Sequence, residues 1–249
     1  MNQLRFMSIF AYAGLAVCLI SCGGQHPEKN APDTTVIVDS TVVVKTATPA
    51  ASAAITTPQQ MMVVRHKVAN FSKWLLSYEE HDSMRQANQI HSYVIGRGLQ
   101  DSNIIVVAVK VDDMDKAKAF SKDAGLKKAM QKGGVTGAPS FAFVTMTYQD
   151  TVTIASDVRS WTTFTVKDWS AWEKAFTEGQ QERLDNGLTV RAYGHDADND
   201  KRVVLVVAVT DSAKAHAYWK SDMLKQRRIA SGVVDDPQRF IFRVVKRYK

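Results

Sequence analysis

The phrase VANFSKW at 68–74 returns at 166–172 as VKDWSAW, one point on a diagonal that runs through most of the chain. Asn70 and Asp168 stand 98 positions apart (168 − 70 = 98), as do Trp74 and Trp172, Arg85 and Arg183, and Gly96 and Gly194. After a slip (205 − 105 = 100), IVVAV at 105–109 meets LVVAV at 205–209, and the offset then returns to 98 for KAKAF at 116–120 against KAHAY at 214–218. Self-similarity along one diagonal marks a tandem duplication. It limits the fold to two like units that must satisfy each other's apolar surfaces.

Each unit, about 85 residues long, reads β-α-β-β-α-β from its hydrophobic periods. The first strand is MMVVRHKV at 61–68 or RSWTTFTV at 159–166. Asn70 or Asp168 then stands at an N-cap position. Aromatic residues follow at helical spacing: Phe71, Trp74 and Tyr78, then Trp169, Trp172 and Phe176. Two aliphatic strands come next, HSYVIGRG with NIIVVAVKV and TVRAYGH with RVVLVVAV. A second helix is expected from near Asp115 or Ser212, interrupted around Gly125 in the first copy. A Gly/Pro passage leads into the last strand, SFAFVTMTY or RFIFRVVKRY.

This order is the split βαβ, ferredoxin-like unit. Its helices cover one sheet face and leave the other open, yet IIVVAVKV and VVLVVAV are apolar on both faces, as doubly buried strands are. The expected fold class is therefore α+β: two ferredoxin-like βαββαβ units fused in tandem at 61–150 and 151–249, forming an intramolecular dimeric-type α/β barrel.

The N-terminus carries different information. MNQLRFMS precedes an apolar run at 9–20 that is shorter than the roughly 20 residues a spanning helix needs. It ends in Leu19, Ile20, Ser21 and Cys22, then two glycines, which resembles the bacterial lipobox. The resemblance implies a lipoprotein signal peptide at 1–21, lipidation of Cys22, and a membrane partner through that N-terminus. The location implied is the bacterial cell envelope, lipid-anchored on a periplasmic or outer-membrane face. Residues 22–60, poor in aromatics and rich in Thr, Ala, Val and Pro, read as a flexible tether.

The two cysteines are Cys18, inside the signal, and Cys22, so thiol nucleophiles, redox dithiols, disulfides and cysteine metal sites are excluded from the mature chain. The formal charge of +7 falls to +6 when Arg5 leaves with the signal (7 − 1 = 6). It is spread along the chain, and nucleic acid is not expected as a partner.

HKV-x-(N/D)-(F/W)-x-x-W, the short aliphatic Gly strand, KAKAF and LKKAMQKGGVTGAP together resemble the antibiotic-biosynthesis-monooxygenase-like domains of the dimeric α/β-barrel superfamily. The resemblance covers nearly all of 65–144 and, more weakly, 159–244. It implies a fold rather than an activity, because that superfamily holds cofactor-free oxygenases, haem-degrading enzymes and isomerase-like proteins. Haem-degrading relatives use an Asn on the first strand and a Trp on the third. Here MMVVRHKV has no Asn and IIVVAVKV has no Trp. No cofactor is expected.

No histidine pair has metal-ligand spacing, so no metal site is expected. His66, on the first strand, is the best acid/base candidate. Strand alternation puts Val64, His66 and Val68 on one face, and Val63, Arg65 and Lys67 on the other, matched in the second copy by Trp161, Thr163 and Thr165. The second of these faces is favoured as the one looking into the barrel. Candidate pocket residues are Arg65, His66, Lys67, Tyr93, Trp161, Thr163 and Arg191. A cavity lined by Trp161, Tyr93 and a cation would suit a flat or acidic small molecule.

Two functions remain open. The first is a non-enzymatic envelope lipoprotein that binds a small molecule or a partner. The second is a cofactor-independent monooxygenase or isomerase acting on an aromatic or polyketide-like substrate in the barrel. An open interior containing His66 or Tyr93 favours the second, and a solid interior excludes it.

Overall fold

The structure is a computed structural model and describes residues 54–248. The signal segment, Cys22 and most of the expected tether lie outside the described residues.

The first half runs β1 (Ala54–Ile55), β2 (Gln59–Val68), α1 (Phe71–Glu80), α2 (Asp82–Ala87), β3 (Ile90–Gly98), β4 (Ile104–Val111), α3 (Met114–Phe120), α4 (Ala124–Lys132) and β5 (Val135–Asp150). The second runs β6 (Val158–Thr165), α5 (Trp169–Glu178), α6 (Gln180–Asp185), β7 (Leu188–Asp196), β8 (Arg202–Val209), α7 (Ser212–Trp219), α8 (Asp222–Ala230) and β9 (Gln238–Arg247). The strands lie in the order β5-β2-β4-β3 in one half and β9-β6-β8-β7 in the other. All pairings are antiparallel. Two seams, β3 with β9 and β5 with β7, close the sheet into a ring.

The helix starts are chemically specified. Asn70 Oδ1 accepts the Lys73 N–H at 2.9 Å, and Asp168 Oδ1 accepts the Ala171 N–H at 2.7 Å. Asp113 and Asp211 cap α3 and α7 in the same manner, each at 3.0 Å. Such caps satisfy amides that would otherwise lack a partner, each contributing about 1 kcal/mol.

The helices themselves differ from the expectation. The first helix of each half breaks, at His81 and at Gly179. At the first break the Arg85 guanidinium donates to the Tyr78 carbonyl at 2.7 Å and lies 3.7 Å from the Tyr78 ring centroid. The second helix breaks in both halves rather than in one, where Asp123 and Ser221 cap new helices. Gly125 lies inside α4. The sheet also begins earlier than residue 61. Ala54 and Ile55 pair with Asp150 and Gln149, and Gln59 with Met146, so the end of the expected tether is sheet. Isolated from its partner strand, that stretch carries no periodicity that could show this.

The apolar residues divide into layers. Val64, Val68, Ile95, Ile105 and Val107 face Trp74 and Phe120 of the overlying helices. In the second half Phe164, Val166 and Val203 face Trp172, and Leu188 and Val207 face Tyr218. A further cluster draws on both halves: Met61, Val63, Val106, Val144 and Met146 with Val204 and Phe242. It fills part of the ring's interior and joins the halves, each buried side chain contributing about 1.5–3 kcal/mol.

Candidate functional site

β2 and β6 are four antiparallel pairings apart around the ring, so they run in the same direction. Their first inward positions are therefore at the same end. Met61 and Val63 from β2 and Arg159 and Trp161 from β6 line a cavity of about 590 Å³ there. Tyr93 and Val94 enter it from β3, where the register with β4 shifts between Ser92 and Val94. Arg191 and Ala192 enter from the matching irregularity of β7. Residues 151–157, which connect the halves, also line it, and its volume is typical of small-molecule sites.

The connector is pinned by arginines. Arg191 Nη1 donates to Asp150 Oδ2 at 2.6 Å and its Nη2 to the Val152 carbonyl at 2.5 Å. Arg159 Nη1 donates to the Ser156 and Val158 carbonyls at 2.8 and 2.9 Å. Arg243 holds both oxygens of Asp157 at 2.7 Å. Ser156 Oγ donates to the Val209 carbonyl at 2.6 Å.

Arg159 stands apart from the others. It is 4% exposed, and among the described residues no carboxylate pairs with it. Burial, and then the like charges of Arg247 and Arg191, push its pKa down to about 10 against a smaller opposing pull from Asp157, which is itself held by Arg243, so it remains a cation at neutral pH. A buried cation without a counter-ion is costly unless something supplies the missing charge. Gln149, also 4% exposed, lines the same cavity, and its Nε2 has no hydrogen-bond partner.

Of the residues singled out in the sequence, Tyr93, Trp161 and Arg191 come together at this cavity. Arg65, Lys67 and Thr163 follow Val63 and Trp161 along the same inward-facing alternation toward the other end of the ring. There the Arg65 guanidinium lies 5.4 Å from the Phe240 ring centroid and Lys67 pairs with Asp101 at 2.8 Å. His66 lies outside the cavity. Alternation turns it to the helix side, against Trp74 at 5.3 Å, where it lines a separate space of about 80 Å³. Both its ring nitrogens lack partners, and burial lowers its pKa to about 4. A neutral, enclosed imidazole on that side cannot serve as the interior acid or base.

Four cavity residues, Arg159, Gln149, Asp150 and Arg247, are absent from the sequence-based candidates. Arg159 was within reach of the same argument, since two positions before Trp161 on a strand is the same face. Asp150 and the connector carry no such signal. Among the described residues, no group of three His, Cys, Asp or Glu is placed to hold a metal ion.

Neither a protein-family model nor a curated protein matches the sequence. Solved structures do match by shape. A candidate monooxygenase from Fusobacterium nucleatum subsp. nucleatum has a TM-score of 0.51 at 12% identity, over 76% of this chain and 93% of its own. An anthrone oxidase-like protein has a TM-score of 0.52 at 15% identity, over 78% of this chain and 94% of its own. A candidate chlorite dismutase has a TM-score of 0.51 at 11% identity, over 76% and 96%. The fold is that of the dimeric α/β barrels. At such identities the likeness extends to the fold alone, and the barrel's chemistry has to be argued from its own lining.

Proposed function

We propose that the chain is an envelope-anchored lipoprotein that binds a small molecule in its barrel, and that the barrel arose by tandem fusion of two ferredoxin-like units. The observation that carries the binding reading is Arg159, a buried cation without a carboxylate partner on the wall of a cavity of about 590 Å³. Binding is favoured over catalysis because both cavity carboxylates, Asp150 and Asp157, are held by arginines, and His66 faces the other way. Native mass spectrometry of the full chain should show a bound small molecule that an Ala108→Trp variant, with the cavity filled, no longer carries. Bare protein, or a molecule retained in that variant, overturns the reading.

The anchor rests on Leu19, Ile20, Ser21 and Cys22 at the end of the apolar run. A Cys22→Ala variant should move from the membrane to the soluble fraction, and unchanged fractionation would sink the anchor.

Tyr93 at the cavity gives specific support to a second reading, a cofactor-independent monooxygenase or isomerase acting on an aromatic or polyketide-like substrate. That reading requires turnover of a probe such as anthrone with uptake of O₂, and loss of it in Tyr93→Phe. Turnover that survives the substitution removes Tyr93 from the chemistry.

A further inference from the structure

Positions 98 apart carry opposite chemistry on the two sides of the cavity. Where the first half has Met61 and Val63, the second has Arg159 and Trp161 (159 − 61 = 98). Tyr93 is matched by Arg191, and Gln149 by Arg247 (247 − 149 = 98). A barrel of two identical halves would offer a ligand two equivalent orientations. This one sets Met61, Val63 and Val106 of the first half against Arg159, Arg191 and Arg247 of the second, with Gln149 and Asp150 among the polar residues the first half adds.

We propose that the cavity binds an amphipathic monocarboxylate in a single orientation, its head among Arg159, Arg191 and Arg247 and its apolar body along Met61, Val63 and Val106. The inference rests on the small-molecule reading above and deepens it.

The charges select the head. The cavity is lined by four cations, Arg159, Arg191, Lys246 and Arg247, and two carboxylates, Asp150 and Asp157. Arg191 is taken by Asp150, Asp157 by Arg243, and Lys246 by Glu79 at 2.7 Å. Arg159 and Arg247 are left without carboxylates among the described residues, and Arg159 is the buried one. A single carboxylate completes that wall, since guanidinium forks bind carboxylates through paired, charge-assisted hydrogen bonds. Asp150 already shows a carboxylate held on this wall by one such bond, from Arg191 Nη1 at 2.6 Å. The unpartnered Nε2 of Gln149 is a further donor in the same space. The other wall offers thioether and aliphatic carbon, which suits an aryl or acyl body and no second charge.

Equilibrium dialysis of the full chain in detergent micelles can test this with 2-naphthoic acid, decanoic acid and neutral 2-naphthamide, using Ala108→Trp as the partition baseline. At pH 7 at least one acid should bind above baseline, and naphthoic acid about 10-fold or more tighter than its amide if the body is aryl. Decanoic acid binding alone supports the acyl form of the same proposal. The preference for the acid should collapse in Arg159→Gln and weaken in Arg247→Gln, an exposed position where folding is not at stake. Acid and amide binding equally above baseline overturns the carboxylate while leaving the cavity as a binding site. No binding above baseline by any probe overturns both. An acid preference untouched by either arginine substitution places the head elsewhere and also overturns the proposal.

Discussion

His66 and Phe164 stand 98 positions apart (164 − 66 = 98) and pack alike, His66 5.3 Å from Trp74 and Phe164 5.5 Å from Trp172. A phenyl ring suits that enclosed site, whereas the imidazole leaves two ring nitrogens without partners. Burial lowers the His66 pKa from 6.5 to about 4. Between those pH values the unfolded chain binds the proton and the native chain does not. Stability is therefore full above about pH 6.5 and falls as the pH drops toward 4, by at most about 3 kcal/mol. Replacing the ring by His66→Phe should remove this acid sensitivity and raise stability at pH 5 by about 1–3 kcal/mol. Urea denaturation at pH 5 and 7.5 measures both, and a variant with the parental pH slope would assign that slope to other groups. Alternation alone places His66 with Val64 and Val68, opposite Val63, Arg65 and Lys67, but each face mixes apolar with polar residues, so the sequence cannot by itself decide which face the helices cover. Trp74, close against His66, decides it.

The two seams depend on a glycine each. Gly96 pairs with Val244 across β3 and β9, and Gly194 pairs with Met146 across β7 and β5. The pairings are equivalent, since 194 − 96 and 244 − 146 are both 98. The consequences of a methyl group differ. At Gly96 a Cβ would meet the Phe242 ring at 2.2 Å, a side chain with some room to turn toward the cavity. At Gly194 it would meet the Thr145 carbonyl oxygen at 2.0 Å, and backbone in a paired strand cannot give way. Gly194→Ala should thus cost more than Gly96→Ala, which falls in the usual overpacking range of about 1–3 kcal/mol. Thermal melts of the two variants rank them, and equal losses would show that the β5–β7 seam yields as easily as a side chain. The caps at Asn70 and Asp168 were legible because each is a local requirement written at matching places in both halves, whereas Gly96 and Gly194 showed only as matched positions, their seam role depending on strands distant in sequence. The helix breaks at His81 and Gly179 were not legible in the same way. They depend on Arg85 and Arg183 turning back over Tyr78 and Phe176, at 3.7 and 3.8 Å from the ring centroids, a tertiary choice that periodicity cannot encode.

At the scale of the molecule, each half has a sheet whose inward face is covered only by the other half. Met61, Val63, Val106, Val144 and Met146 of the first half would all face solvent if it stood alone, an apolar surface of the kind that drives association. Both of its seam strands would also be exposed edges. The matching positions of the two halves made this closure legible, but not the use to which the interior is put, because that follows from where the halves differ rather than from what they share. Those differences predict unlike behaviour of the separated halves. Two copies of 54–150 can close a barrel by pairing β5 of one with β3 of the other, and the shared cavity would then be lined twice by Met61, Val63, Tyr93 and Gln149, with Asp150 of each copy as its charged group, two carboxylates in all. Two copies of 151–249 would instead gather Arg159, Arg191 and Arg247 twice around one cavity, with Asp150 left behind on the other half. Repulsion among these guanidinium groups in an enclosed space opposes that dimer, and salt screens it as the Debye length shortens from about 30 Å at 0.01 M to about 8 Å at physiological ionic strength. Sedimentation velocity should therefore find 54–150 dimeric at any salt concentration, and 151–249 unable to dimerise at low salt but shifting toward the dimer as salt is raised. A stable monomer of 54–150 would mean that its inward face does not need a partner. A salt-independent dimer of 151–249 would mean that the arginine wall carries no uncompensated charge, and the case for an acidic ligand would fall with it.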